Sequence, residues 1–280
     1  MKRVTAVILF FCCALLCRAG ADAKLILVSI APLMEPVQKI AGPDFTVKPL
    51  VPPGMQVEHF SPNRESLKDI SSCALFFGLG LPWEKPLMNR IPALKNKHAD
   101  VSRNVQKLPW AEEGHGHLHG KDPHIWLSIP AAVGMSTVIA EELSARLPAP
   151  GGYSGRAAEY TAALQKLHAE LTESLRPLKG RKILVYHPSF AYFFNDYGMM
   201  QTAVEKHGHE ATGAHLQQLL KLAKQEDFRA VFVQPQFNPR QAKTLSRELQ
   251  LPVFTLDPLP SRLSEGLRAI TDTLLKAHGN

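Results

Sequence analysis

Twelve of the 280 residues are histidine, and four of them fall in the stretch "GHGHLHGKDPHIW": His115, His117, His119 and His124. Imidazole nitrogens are metal ligands, and they exchange protons near neutral pH. The first three alternate with glycine or leucine in a run that has no helical or strand periodicity. The fourth follows Asp122-Pro123 and leads directly into the apolar "IWL". Three other polar residues stand where an apolar run gives way to a turn: His59 in "VPPGMQVEHF", His187 after "KILVY" and Asp257 after "PVFTL". Neutral imidazoles with one carboxylate suit zinc, which takes such ligands at about 2.0–2.2 Å in a tetrahedron. Calcium and magnesium want mostly oxygen. Each of His59, His124, His187 and Asp257, taken singly, is more often a surface or hydrogen-bonding residue; only convergence on one point would make a site.

The elements that must position them alternate. "KLILVSI" is an apolar β-rich run suited to a buried parallel strand, "PLMEPVQKIAG" carries a helical pattern ending on Gly42, and "FTVKPLV" is a second strand. "SLKDISS" and "CALFFGLG" continue the alternation, which is the mark of a parallel α/β sheet. "PWEKPL" reads as a packing loop near the cleft. Over residues 153–178 the pattern changes to one long helix, with Tyr160, Leu164, Leu167, Leu171 and Leu175 as an apolar stripe. Alternation then resumes through "KILVYH", "AVFVQP" and "PVFTLDP". The expected fold class is α/β, with an N-terminal lobe at 24–150, a linker helix at 151–179 and a C-terminal lobe at 180–280. Ligands of open parallel sheets collect at the carboxyl ends of strands. A cleft between the lobes would therefore bring His59, His124, His187 and Asp257 together.

Residues 1–23 have the parts of a cleaved secretory signal. Lys2 and Arg3 lead an apolar run, and Ala21-Asp22-Ala23 is a small-x-small cleavage site. No later segment approaches the roughly 20 apolar residues of a membrane helix. The expected product is an exported, soluble protein starting near Lys24. Cys12, Cys13 and Cys17 lie in the signal, and Leu16 before Cys17 argues against a lipid anchor there. Cys73 is left alone as a buried core thiol, so no internal disulfide forms. The formal charge is +7, and the basic residues are scattered among acids without a stripe, which argues against nucleic-acid binding.

The local sequences are similar to one known group. "LVSIAPLMEPVQKIAG", "LVPPGMQVEHFSP", "DPHIWLS", "YHPSFAYFFNDYG" and "TLDPL" resemble segments of the ZnuA/TroA-like class, the periplasmic metal receptors of ABC importers. The resemblance implies two Rossmann-like parallel-sheet lobes joined by one rigid linker helix, with the metal in the inter-lobe cleft. It places His59, His124 and His187 on the histidine ligand positions and Asp257 on the carboxylate position. Manganese receptors of the class resemble this chain but carry glutamate where His187 stands. Glu58, where many relatives have proline, is read as a solvated loop residue, with a place near the metal as the alternative. The short stretch "EEGHGHLHGKD" stands where many zinc receptors have a longer acidic and His-rich loop. His115, His117 and His119 are then an auxiliary, weaker and faster-exchanging zinc site, because ordering a flexible loop costs about 1–2 kcal/mol per residue.

The function that follows is extracytoplasmic capture of Zn(II) and delivery to an ABC-type permease in the inner membrane, by a monomer in the periplasm that is not an enzyme. The alternatives are a manganese or iron receptor of the same class, a zinc hydrolase using Asp257 as base, or a receptor for a siderophore or corrinoid. Neither "HExxH" nor "GxSxG" occurs. His207, His209 and His215 read as residues around a helix start capped by Thr212, and His98, His168 and His278 as surface positions.

Overall fold

Strands form where the chain is apolar on both faces. The computed structural model describes residues 24–58, 60–109, 121–147, 152–205, 213–237 and 239–279, with the side chains at 213–216, 224, 239 and 241 left aside. The first lobe runs β1 (Lys24–Val28), α1 (Met34–Ala41), β2 (Phe45–Pro49), α2 (Arg64–Ser72) and β3 (Leu75–Gly78). It closes with α3 (Glu84–Arg90), α4 (Pro92–Lys95) and β4 (His98–Asp100). A single turn of 3-10 helix, Ile125–Leu127, leads into α5 (Ile129–Arg146), and α6 (Tyr153–Leu175) follows. The second lobe runs β5 (Lys182–Val185), α7 (Ala191–Asp196), β6 (Met200–Ala203), α8 (Gly213–Gln225) and β7 (Val231–Val233). α9 (Pro239–Leu249), β8 (Val253–Thr255) and α10 (Leu263–His278) complete it.

Each lobe holds a four-stranded sheet, ordered β2-β1-β3-β4 in the first and β6-β5-β7-β8 in the second. Every strand pair is parallel. The two lobes thus repeat one winding. In both, the chain leaves the first strand to one side and returns on the other, so the switch point lies at the carboxyl edge beside that strand.

The helical stripe expected over residues 153–178 is present. Tyr160, Leu164, Leu167, Leu171 and Leu175 are all buried on α6, and a 3-10 turn, Arg176–Leu178, finishes it. α5 packs along α6, with its start capped by the Ser128 hydroxyl accepting from Ala131 N–H. One continuous core extends from Ile26, Val28 and Phe77 through Val138 and Leu164 to Val185, Phe232 and Leu267. Polar clamps add to it. Arg156 on α6 donates to the carbonyls of Ile40 and Ala41 at the end of α1, at 2.6 and 3.1 Å. Glu35 on α1 accepts from the backbone N–H and hydroxyl of Ser264 at the start of α10. Hinge opening of the lobes would expose this shared core at about 25 cal/mol per Å², so the molecule is built for small local adjustments.

Three details differ from the sequence reading. The "PWEKPL" segment starts helix α3, and Glu84 is buried beneath it. Its carboxylate accepts from Ser29 Oγ and from the backbone N–H of Leu79 and Gly80, which satisfies the charge where a loop alone would not. His98 lies on β4 with its ring 3.6 Å from Glu84 and is not a surface residue. His168 and His278 are half-buried, the first against Tyr197 and the second stacked on Phe232. Cys73 is buried and free, at the C-terminal end of α2 just ahead of β3. Among the described residues no helix is long and apolar enough to cross a membrane. The segment 1–23, Thr212, and the histidines at 207 and 209 lie outside the described residues.

Candidate metal centre

His124 closes a local motif. Pro123 fixes its own backbone and keeps Asp122 extended. The Asp122 carboxylate then accepts from the His124 backbone N–H and meets Nδ1 of the same ring, both at 2.8 Å. With Nδ1 held, Nε2 faces outward from the loop. The ring is 1% exposed and packs edge-on against Trp126. Trp126 in turn donates from Nε1 to the carbonyl of Pro258 in the second lobe, at 2.7 Å. Tyr192 on α7 donates to the Asp122 carbonyl and accepts from Leu108 N–H, tying the second lobe to both ends of the His-rich stretch.

His187 lies two residues beyond β5, and the sheet registers decide its neighbours. Val185 pairs with Ala203 on β6 and with Phe232 on β7, so the positions two further on are Glu205 and Gln234. Glu205 Oε2 meets His187 Nδ1 at 2.5 Å. Gln234 accepts from the His187 backbone N–H and donates to its carbonyl. The His187 Nε2 is buried and has no hydrogen-bond partner among the described residues.

The two rings meet at the lobe junction, with centroids 5.4 Å apart. Glu58, from the loop after β2, inserts its carboxylate between them. Oε1 lies 3.3 Å from His124 Nε2 and 3.6 Å from His187 Nε2. Among the described residues these three form the group able to hold a metal, their ligand atoms all within 4.8 Å of one another. Two ligands at 2.0–2.2 Å from a tetrahedral ion lie about 3.4 Å apart, close to both imidazole–carboxylate separations. The hollow they line has a volume of about 20 Å³. A single water-sized occupant needs at least roughly 10–15 Å³, so the space suits one ion.

The charges at the two rings and the three carboxylates depend on one another. Burial works against ionising Glu58, but the imidazoles of His124 and His187 beside it outweigh that and hold the carboxyl well below its usual range. The Glu58 side chain is 39% exposed, so solvent screens part of that pull. Burial likewise disfavours charge on His187, yet Glu205 and Glu58 raise it to about 9. His124 is also raised, burial being outweighed by Asp122 and Glu58. Three carboxylates therefore surround two imidazoles, a balance that a divalent ion would complete on displacing the protons.

Of the residues singled out from sequence, His124 and His187 converge. Asp257 is exposed and stands apart from the group. Its Oδ1 accepts from Leu259 N–H at 2.9 Å and from Gln236 Nε2 at 3.3 Å, shaping the turn that presents the Pro258 carbonyl to Trp126. His59, and His115, His117 and His119, lie outside the described residues. Glu58 is no mere solvated loop residue: its carboxylate contacts both rings. Its position next to His59 was the available signal. Asp122 entered only as part of the Asp-Pro that orients His124, and Glu205 was missed as a brace. The first was visible in the Asp-Pro-His order; the second required the strand order.

Comparison with known proteins places this chain in one family. The model of the family "Zinc-uptake complex component A periplasmic" matches residues 26–277. A crystal structure of a zinc-bound ZnuA deletion mutant superposes with a TM-score of 0.82 at 33% identity, covering 91% of this chain and 98% of that one. The zinc-binding lipoprotein AdcA of Streptococcus pneumoniae is 26% identical over 96% of this chain, which spans 58% of AdcA. The manganese ABC transporter substrate-binding lipoprotein PsaA of the same species is 25% identical, over 91% of this chain and 89% of PsaA. With a match over nearly the whole described fold, this chain belongs to the family of periplasmic zinc-uptake complex component A.

Proposed function

We propose that this protein captures zinc outside the cytoplasm and hands it to an ABC-type permease for uptake. The observation that carries the reading is the convergence of His124 and His187, one from each lobe, on the Glu58 carboxylate, each ring braced through Nδ1. A ring braced in this way presents Nε2 as an oriented, basic ligand. His59, adjacent to Glu58, is the proposed further ligand, giving three nitrogens and one oxygen, a set that suits zinc. With four protein ligands the shell is closed and offers no position for a catalytic water, so the proposed role is carriage, not hydrolysis. In this reading Asp257 acts by shaping its turn. The small hollow of about 20 Å³ between the rings supports a single ion over a siderophore or corrinoid as the ligand there.

Residues 1–23 are proposed as a cleaved export signal, 24–150 and 180–280 as the lobes, 151–179 as the linker, and the monomer as the working unit. A manganese receptor is the second reading. Glu58 favours it, since carboxylate oxygen suits manganese, and PsaA is a relative of that description. Metal analysis of the purified protein, followed by competitive titration of zinc against manganese, separates them. We expect one tightly held zinc that manganese does not displace; displacement at equal concentration would reverse the assignment.

A further inference from the structure

A second and much larger hollow lies next to the metal centre. Between α9 and the outer face of the second sheet is a cavity of about 860 Å³, within the roughly 300–1,000 Å³ typical of small-molecule sites. Val233, Val253 and Ala242 supply apolar wall, and the rings of Tyr186 and Phe237 form an aromatic wall, their centroids 4.8 Å apart. Arg240, Lys243 and Arg247, spaced three and four apart on α9, line the same cavity. No aspartate or glutamate lines it among the described residues. Lys243 and Arg247 are exposed, and neither has an ion-pair partner among the described residues. Cations scattered on a helix are ordinarily a solvated face. Here they edge a concavity with apolar walls, so that their charges add at one mouth.

We propose that this cavity binds a small organic anion carrying two or three carboxylates. Guanidinium groups grip carboxylates through paired N–H donors. The hydroxyls of Thr244, Ser246 and Thr255 add donors along the wall, and the aromatic and aliphatic residues take up the carbon skeleton. The site is distinct from the metal centre but shares Gln234 and Phe237 with it. Gln234 holds the backbone of His187, and the Phe237 ring lies 5.7 Å from the His187 ring. The bound anion would therefore sit one side chain away from a metal ligand.

The test is calorimetric titration of the metal-free protein with tricarballylate, a tricarboxylate without the hydroxyl that makes citrate a strong chelator, alongside acetate as a single-carboxylate control. Expected are saturable one-to-one binding of tricarballylate, none of acetate, and a loss of roughly tenfold or more in affinity in both K243E/R247E and the milder K243Q/R247Q. Absence of saturable binding to the unmodified protein, equal binding of acetate, or unchanged affinity in both variants would overturn the proposal. Because no metal is present, this outcome is independent of the zinc reading; zinc affinity should be retained in both variants.

Discussion

His124 and His187 end at the same hollow, yet they are held by different parts of the chain. His124 takes its bracing carboxylate from two residues earlier, and that same carboxylate also accepts its backbone N–H. His187 takes Glu205 from the neighbouring strand, eighteen residues away. The first ring is 1% exposed and the second 13%. A locally built ligand needs little more than its own turn; a ligand built across strands exists only when the sheet is in register. The contrast suggests one lobe that presents a fixed ligand and another whose ligand geometry depends on the fold around it.

The sharpest way to break the comparison is to remove the rings. H124A and H187A should each abolish the zinc-induced rise in melting temperature and reduce affinity beyond the roughly 10–100-fold typical of losing an outer carboxylate. If either variant keeps the full thermal shift, its lobe does not contribute to the site. Removing the braces should cost less: D122N and E205Q are each expected to weaken zinc binding by about 10–100-fold in a chelator competition assay. They should part company without metal. D122N replaces a buried, charged acceptor of a backbone N–H by a weaker neutral one and should lower the metal-free melting temperature more than E205Q, whose site holds no backbone N–H among the described residues.

Acidity offers a smaller, graded probe. In the metal-free protein His187 is raised from 6.5 to about 9, burial being outweighed by Glu205 and Glu58. Its pairing therefore stabilises the fold fully below about 6.5, and this contribution fades as pH climbs through 9. Zinc must displace the same proton, so affinity should still be rising between pH 7 and 9, well above the range in which an unperturbed imidazole would compete. Calorimetry in buffers of different ionisation enthalpy should find about one proton or more released per zinc; a flat affinity over that range would mean His187 is not a ligand. The least effect is expected from deleting residues 112–119, which should leave the tight site's affinity unchanged within error. Loss of tight binding would move the centre of the site into the His-rich stretch.

Much of this molecule follows from local chemistry. Periodicity alone gave alternating strands and helices, the stripe Tyr160–Leu164–Leu167–Leu171–Leu175, and the burial of Cys73, because burial of an apolar face is what makes each element form. The Asp-Pro-His order held His124 and its brace together in one turn. The strand-end positions of His187 and Asp257 pointed to one sheet edge before the lobes could be placed, but only His187 joins the metal group. Glu58 was ambiguous, since a loop carboxylate looks the same whether it faces solvent or two imidazoles. His98 and Glu84 were misread because they meet only when α3 packs against β4, and because Ser29 reaches Glu84 from the end of β1.

By itself, then, the order of residues determined the elements, their apolar faces and the chemical kind of the ligands. Only the tertiary structure decided which of them meet. Glu205 stands beside His187 because β6 pairs with β5 so that Ala203 faces Val185, and Gln234 flanks it because β7 takes the other side. Side-chain period and turn chemistry act over a few residues and leave their trace in the sequence. Strand order and register are set by the packing of whole layers, and no single stretch of chain encodes them.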